Sequence, residues 1–358
     1  MAGNQIGNVF RVITWGESHG AALGAVVDGC PAGIELAETD IQQALDRRKP
    51  SAAVSSTTRR EKDKVEILSG VFEGKTTGTP VSLLIRNSDA ASSAYDELKD
   101  VFRPGQGDYT YLKKYGIRDW RGGGRASGRE TAARVAAGAI AEKVIAAAGM
   151  EVIAYTQAIG SIEIDRAKMP SGKELRLKVR ENILFCPDFE AAAVMVKKLE
   201  TLREEGDSLG GVVEIVVRGC PTGLGEPVFD KIDADLAKAL MSIGSVKAVE
   251  IGEGFAASAM KGSEANDQMS PDGFSTNHAG GILAGITTGQ EIVIRVYCKP
   301  IPSIAKVQQT IDSTGAQRSI QIQGRHDNCV LPRIVPVCEA MVNIVLADHW
   351  LRQRAAKL

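Results

Sequence analysis

Residues 26–34 read VVDGCPAGI, and residues 216–224 read VVRGCPTGL. Six of the nine positions are identical across a separation of 190 residues. Each copy closes an apolar, β-branched run of strand type and leads into an amphipathic helical pattern. The first helix is expected over 39–48, where Thr39 and Gln42 fit a capping box, and the second over 232–243. A fainter echo follows: Gly124-Arg125 and Gly324-Arg325 each lead toward a long apolar helix. Two strand–turn–helix units can resemble each other by chance, but here the order of elements repeats as well. The expectation is one body, residues 1–358, made of two pseudo-repeats at about 1–150 and 200–358 with a connecting segment.

Around these anchors, short β-branched runs bounded by turn residues predict strands at 24–28, 65–68, 81–86, 212–217 and 291–297. Ser127-Gly128-Arg129-Glu130 has the form of a capping box and opens an alanine-rich helix that Gly149 would stop. A second strong helix is expected over 337–354. Strands grouped apart from helices, with no G-x-G-x-x-G after a strand, predict an α+β fold rather than a Rossmann sheet. Residues 87–115 show no period and read as a long irregular loop, functional or simply solvated.

Composition narrows the function. With 44% hydrophobic and 24% charged residues the 358-residue chain is an ordinary globular sequence, and its net charge of -1 gives no general attraction to nucleic acid or membrane. No apolar run approaches the ~20 residues of a membrane span, and the first residues lack a signal-peptide layout, so a cytoplasmic location is expected. The six cysteines form no C-x-x-C pair; they are expected to be buried, reduced thiols, with no metal site.

Three segments carry chemistry. In Gly16-Glu17-Ser18-His19-Gly20 a histidine sits among glycines and polar residues, where an imidazole of ordinary pKa near 6.5 suits proton donation. Residues 103–134 hold Arg103, Lys113, Lys114, Arg118, Arg121, Arg125, Arg129 and Arg134 against only Asp108, Asp119 and Glu130. There Gly122-Gly123-Gly124 opens onto a capped helix, so backbone amides and guanidiniums together predict an anion site, although a solvated basic face is the competing reading. Gly324-Arg325-His326-Asp327 is a third, weaker candidate, and Arg47, Arg48 and Lys49 add a further basic group.

With GESHG at 16–20, RDWRGGGRASGRETAARVAAGA at 118–139, EGDSLGG at 205–211, TNHAGGI at 276–282 and GRHD at 324–327, the chain resembles the chorismate synthase family, in the family's order and over nearly its whole length. The resemblance implies a β-α-β sandwich and a homotetramer. It implies a lyase that converts 5-enolpyruvylshikimate 3-phosphate to chorismate and phosphate by anti 1,4-elimination, the last step of the shikimate pathway on the way to aromatic amino acids. It also implies reduced FMN, no net redox change, and an external flavin reductant. By resemblance His19 protonates the departing phosphate and Asp327 assists hydrogen removal. FMN contacts fall on Arg125, Ala126, Ser127, Gly244, Ser245, Ala284, Lys299, Pro300, Ile301, Pro302, Ser303 and Arg325. Substrate or NADPH anions fall to Arg48, Arg129 and Arg134.

Gln106 stands where the family usually has a histidine at the flavin, and Val54 where it often has an arginine. Glutamine donates a hydrogen bond but does not titrate. Two readings therefore remain at this stage: an active lyase, or a catalytically impaired flavin- and anion-binding homologue. A third, RNA binding through the basic loops, where Tyr109 and Tyr111 are interleaved with basic residues, is opposed by the near-zero net charge.

Overall fold

The computed structural model describes residues 3–49, 63–87, 98–170, 172–322 and 327–356. Val54 and Arg325 lie outside them. Two five-stranded antiparallel sheets enclose a layer of helices. The first sheet holds β1 (Gln5–Ile6), β2 (Arg11–Gly16), β3 (Ala22–Asp28), β4 (Val65–Ser69) and β5 (Val81–Arg86), in the order β1-β2-β3-β5-β4. The second holds β6 (Glu151–Ile159), β7 (Ile162–Glu163), β8 (Gly211–Arg218), β9 (Val246–Ile251) and β10 (Ile292–Cys298), in the order β9-β10-β8-β6-β7. Matched by position, β2, β3, β5 and β4 correspond to β6, β8, β10 and β9. The fold is the expected α+β sandwich with an internal duplication.

The same side-chain pattern builds both sheets. Alternate residues of β3, Leu23, Ala25 and Val27, face Ile85, Leu83 and Val81 of β5, and all are buried. In the second sheet Val213, Ile215 and Val217 face Val296, Ile294 and Ile292, again buried. A strand alternates its side chains between faces, so each row lines the inner face of its sheet. The repeated GCP segments end these strands alike. Thr76 Oγ1 donates to Pro31 O (2.6 Å) and accepts from Ile34 N (3.0 Å), while Thr287 Oγ1 donates to Pro221 O (2.6 Å) and accepts from Leu224 N (2.9 Å). Gly33 and Gly223 take φ of +88° and +107°, the left-handed region that explains the shared glycine.

Between the sheets lie α1 (Glu38–Arg48), α3 (Thr131–Ala146), α6 (Ile232–Met241) and α7 (Leu331–Gln353); α2 (Asp108–Tyr115), α4 (Gly172–Arg180) and α5 (Phe189–Glu205) lie outside this layer. α7 is long and apolar enough to cross a membrane by length and composition, but most of it is buried inside the sandwich. Apolar residues on every side mark it as a core helix. It starts six residues before the expected 337, because Pro332 fits a helix's first turn. The α1 cap also differs from the expected Thr39/Gln42 box: Asp40 Oδ2 accepts the Ala37 amide at 2.9 Å. Helix α2 falls inside the stretch read as irregular; Asp108 is its one buried residue, so no apolar period announces it.

α3 and α7 approach closely at Gly138, where an added Cβ would lie 2.3 Å from the Cβ of Ala340. Gly138→Ala is therefore expected to destabilise the protein by roughly 1–3 kcal/mol through overpacking. Ala340→Gly in the same chain should recover part of that loss. Urea unfolding of the two variants checks this, and equal midpoints for Gly138→Ala and wild type would contradict the close packing.

Candidate active site

At one end of the helix layer, the last turn of α1, the entry to α3, the end of α6 and the first turns of α7 surround a cavity of about 890 Å³. Its wall includes Arg48, Gln106, Arg125, Ala126, Ser127, Arg129, Arg134, Gly244, Ser245, Lys299, Ile301, Pro302 and Asp327, all expected from sequence. Among the described residues, Lys49 and Arg333 bring its cationic side chains to seven, against the carboxylates of Asp63, Glu130 and Asp327. A second cavity of about 810 Å³ shares Gln106, Tyr111 and Arg125 with the first and is walled by Gly122, Gly123 and Gly124.

The cations are held rigidly from behind. Arg48 donates to Asp63 Oδ2 at 2.8 Å, and Arg129 pairs with Asp63 Oδ1. All three side chains are buried, at 4%, 1% and 6% exposure for Arg48, Asp63 and Arg129. Burial pushes the Arg48 guanidinium below its ordinary value, and the pull of Asp63 offsets only part of that. Arg48 Nε is buried and has no hydrogen-bond partner among the described residues, an atom suited to a ligand acceptor. Arg134 reaches Glu130 at 2.9 Å and Ser242 Oγ at 2.6 Å, and so joins α3 to the end of α6. Arg125 donates to the carbonyls of Thr14 and Gly16, so its guanidinium ties the entry of α3 to β2.

Two other basic residues of the 103–134 stretch are engaged by a carboxylate within it. Arg103 makes a two-pronged contact with Asp108 (2.8 Å each), and Arg118 holds Asp108 at 3.3 Å and caps the carbonyls of Leu98 and Lys99. Asp108, one of the three carboxylates of this stretch, is thus shared by two of its guanidiniums. The expected Ser127 cap is present, since Ser127 Oγ accepts the Arg129 amide at 3.3 Å. Glu130, however, turns to Arg134 rather than back to the cap.

His19 lines neither of these two cavities. Its ring lies against Gly122, where a Cβ would meet Nδ1 and Cε1 at 2.4 Å, and Ser18 Oγ is 3.0 Å from Nδ1. Gln106 Nε2 donates to Ser303 Oγ at 3.0 Å, and Lys299 Nζ donates to Gly105 O at 2.9 Å, which fastens the Gln106 loop to segment 299–303. Ser208, from the EGDSLGG motif, supports that segment through Ile301 O at 2.7 Å. Asp327 pairs with Arg333 at 2.7 Å. Ala284 is set apart: Gly285 O accepts from Ile232 N at the start of α6, whereas the cavity lies at the other end of that ten-residue helix, about 15 Å away. The TNHAGGI motif is in the same outlying region and folds a loop, with Asn277 Oδ1 accepting the Gly281 amide. Asp63 and Arg333 were not legible as site residues, because no motif or glycine cluster marks them.

A cavity on this scale, at the upper end of small-molecule sites, has room for a cofactor and a substrate together. Ile301, Pro302, Ile334 and Val337 add apolar surface to the arginine-bearing wall. The fold and site define an α+β enzyme built around a polyanionic ligand. A family profile for chorismate synthase matches residues 10–351. A chorismate synthase of Syntrophus aciditrophicus (strain SB) is 65% identical over 358 residues, covering 100% of both chains. One from Syntrophobacter fumaroxidans (strain DSM 10017 / MPOB) is 60% identical over 351 residues, covering 98% of each. A crystal structure of chorismate synthase superposes with a TM-score of 0.78 at 33% identity, covering 98% of this chain and 94% of that one. The chain belongs to the chorismate synthase family.

The arginine clamp makes Asp108 a pH-dependent contributor. Burial works to raise its pKa, but hydrogen bonds and charge from Arg103 and Arg118 outweigh it and hold the carboxyl below the usual range. A depressed folded-state pKa contributes stability that is present above the unfolded value of about 3.9 and lost as pH falls through the folded value. Asp108→Asn should therefore be less stable than wild type at pH 6, and the two urea midpoints should converge as pH drops below about 4. A gap that stays constant into acid would contradict the ionised clamp.

Proposed function

We infer that the chain is a lyase that converts 5-enolpyruvylshikimate 3-phosphate to chorismate and phosphate. The observation that carries this is the meeting of Arg48, Arg129, Arg134, Ser127, Lys299 and Asp327 in one cavity with a cationic excess. A substrate with two carboxylates and a phosphate needs such a wall. Nothing in the site favours the impaired alternative: Gln106 is ordered by Ser303 at 3.0 Å, and its amide remains a hydrogen-bonding group beside the cavity.

The residues divide the work. Arg48, Arg129 and Arg134 bind the anions of the substrate or of NADPH, and their partners Asp63 and Glu130 keep the guanidiniums from swinging toward water. His19 donates the proton that the departing phosphate oxygen requires. Asp327, oriented by Arg333, assists removal of the hydrogen on the opposite side of the diene being formed. Reduced FMN, when bound, supplies electron density to an elimination that involves no net redox change. The apolar surface of Ile301 and Pro302 would receive its ring, with Arg125, Ala126, Ser127, Gly244, Ser245 and Lys299 around it. Pro300 and Ser303 complete that segment. Ala284 reaches a flavin only if a neighbouring copy brings it there, which accords with a homotetramer. We further propose one domain of two repeats, with β6 assigned to the second, a cytoplasmic setting and an external source of reduced flavin.

The test is anaerobic phosphate release from the enolpyruvyl substrate with reduced FMN. Wild type is expected to turn over, and His19→Gln to lose on the order of 100-fold or more in turnover, as for a lost general acid. Gln106→His should stay close to wild type. No phosphate above background from wild type would overturn the lyase reading, and a large gain in Gln106→His would revive the impaired one.

A further inference from the structure

Asn87 follows the last residue of β5, beside the turn that carries His19. Its side-chain Nδ2 donates to Glu17 O at 2.9 Å and to Gly20 O at 2.7 Å, the two ends of that turn. Its Oδ1 accepts from Arg129 Nε at 3.0 Å. Two carbonyls on one side and a guanidinium on the other fix the orientation of the amide, because only the NH2 can face carbonyls and only the oxygen can face a cation. Arg129 is in turn held by Asp63. The main chain adds a tie, with Asn87 N donating to Ala21 O at 3.1 Å.

We propose that Asn87 is a positioning residue that sets the His19 turn in register with the Arg129 anion site. This rests on the roles given to His19 and Arg129 above. No other common side chain does the same at this reach. Aspartate keeps the acceptor for Arg129 but turns a carboxylate onto two carbonyl oxygens, serine is too short, and glutamine is one methylene too long. An anion bound by Arg129 is thereby held at a fixed distance from His19, although His19 stands outside the wall of the main cavity. Misplacing a proton donor by about an ångström costs on the order of 100-fold in rate.

The test compares Asn87→Asp and Asn87→Ala with wild type, each verified as folded by its melting temperature. Asn87→Asp should lose roughly 10- to 100-fold in kcat with KM little changed, because the Arg129 contact survives. Asn87→Ala should lose kcat and also raise KM. In a His19→Gln background, Asn87→Asp should cost nothing further, since its effect acts through His19. A readout that needs no flavin accompanies these: the His19 ring resonance, assigned by its disappearance in His19→Gln, should shift in Asn87→Asp. Wild-type kcat in a folded Asn87→Asp variant, or an equal further loss in the His19→Gln background, would overturn the proposal. If His19→Gln itself keeps wild-type kcat, the assigned role of His19 fails instead, and an inactive wild type would sink the lyase reading.

Discussion

Two guanidiniums and one carboxylate buried together, Arg48, Asp63 and Arg129, are the constraint on which the site depends. Bringing three charges out of water is costly, and their mutual attraction offsets that cost only with close geometry and further hydrogen bonds. Removing one member of such a group typically costs about 3–5 kcal/mol, because an uncompensated charge remains. The surroundings supply the needed bonds: Thr131 and Gly128 O approach Arg48, and Asn87 binds Arg129. With one negative and two positive charges, the triad keeps a positive surplus directed at the cavity without letting either guanidinium move. A ligand anion meets cations that are already ordered, so less side-chain freedom is lost on binding.

A repeated order of elements frames this place in the fold. Each repeat contributes a sheet, a GCP turn clamped by a threonine, an amphipathic helix and a long apolar helix. The cavity lies where the entry to α3 meets the end of α6 and the start of α7. Arg134 crosses that seam to Ser242. Most of the arginines lining the cavity come from residues 48–134, whereas the 299–303 segment and the Asp327–Arg333 pair come from the later part of the chain.

Much of this was legible in the sequence. Five expected strands are present with ends within two residues of those expected, because period-two apolar patterning and flanking turns report directly on half-buried strands. β6 was missed since it is buried along nearly its whole length and follows an equally apolar helix, so no alternation sets it off. α2 was missed for the opposite reason, having almost no buried face. In the site, glycine-rich motifs pointed to loops that meet at one cavity, but charge counting alone could not show which arginines line it. Arg103 and Arg118 converge on one carboxylate, Asp108, a pairing in space that a count of charges does not reveal. Asp63 and Asn87 act by reaching across 66 and 42 residues to Arg129, which no local pattern records.

A crystal structure of the chain with the enolpyruvyl substrate and FMN tests the central claim most directly. It should show substrate anions within hydrogen-bond distance of Arg48 and Arg129, with Asp63 still between the two guanidiniums and the phosphate on the side facing the His19 turn. Substrate seated away from this cavity, or bound there with the Asp63 pairs broken, would contradict the account.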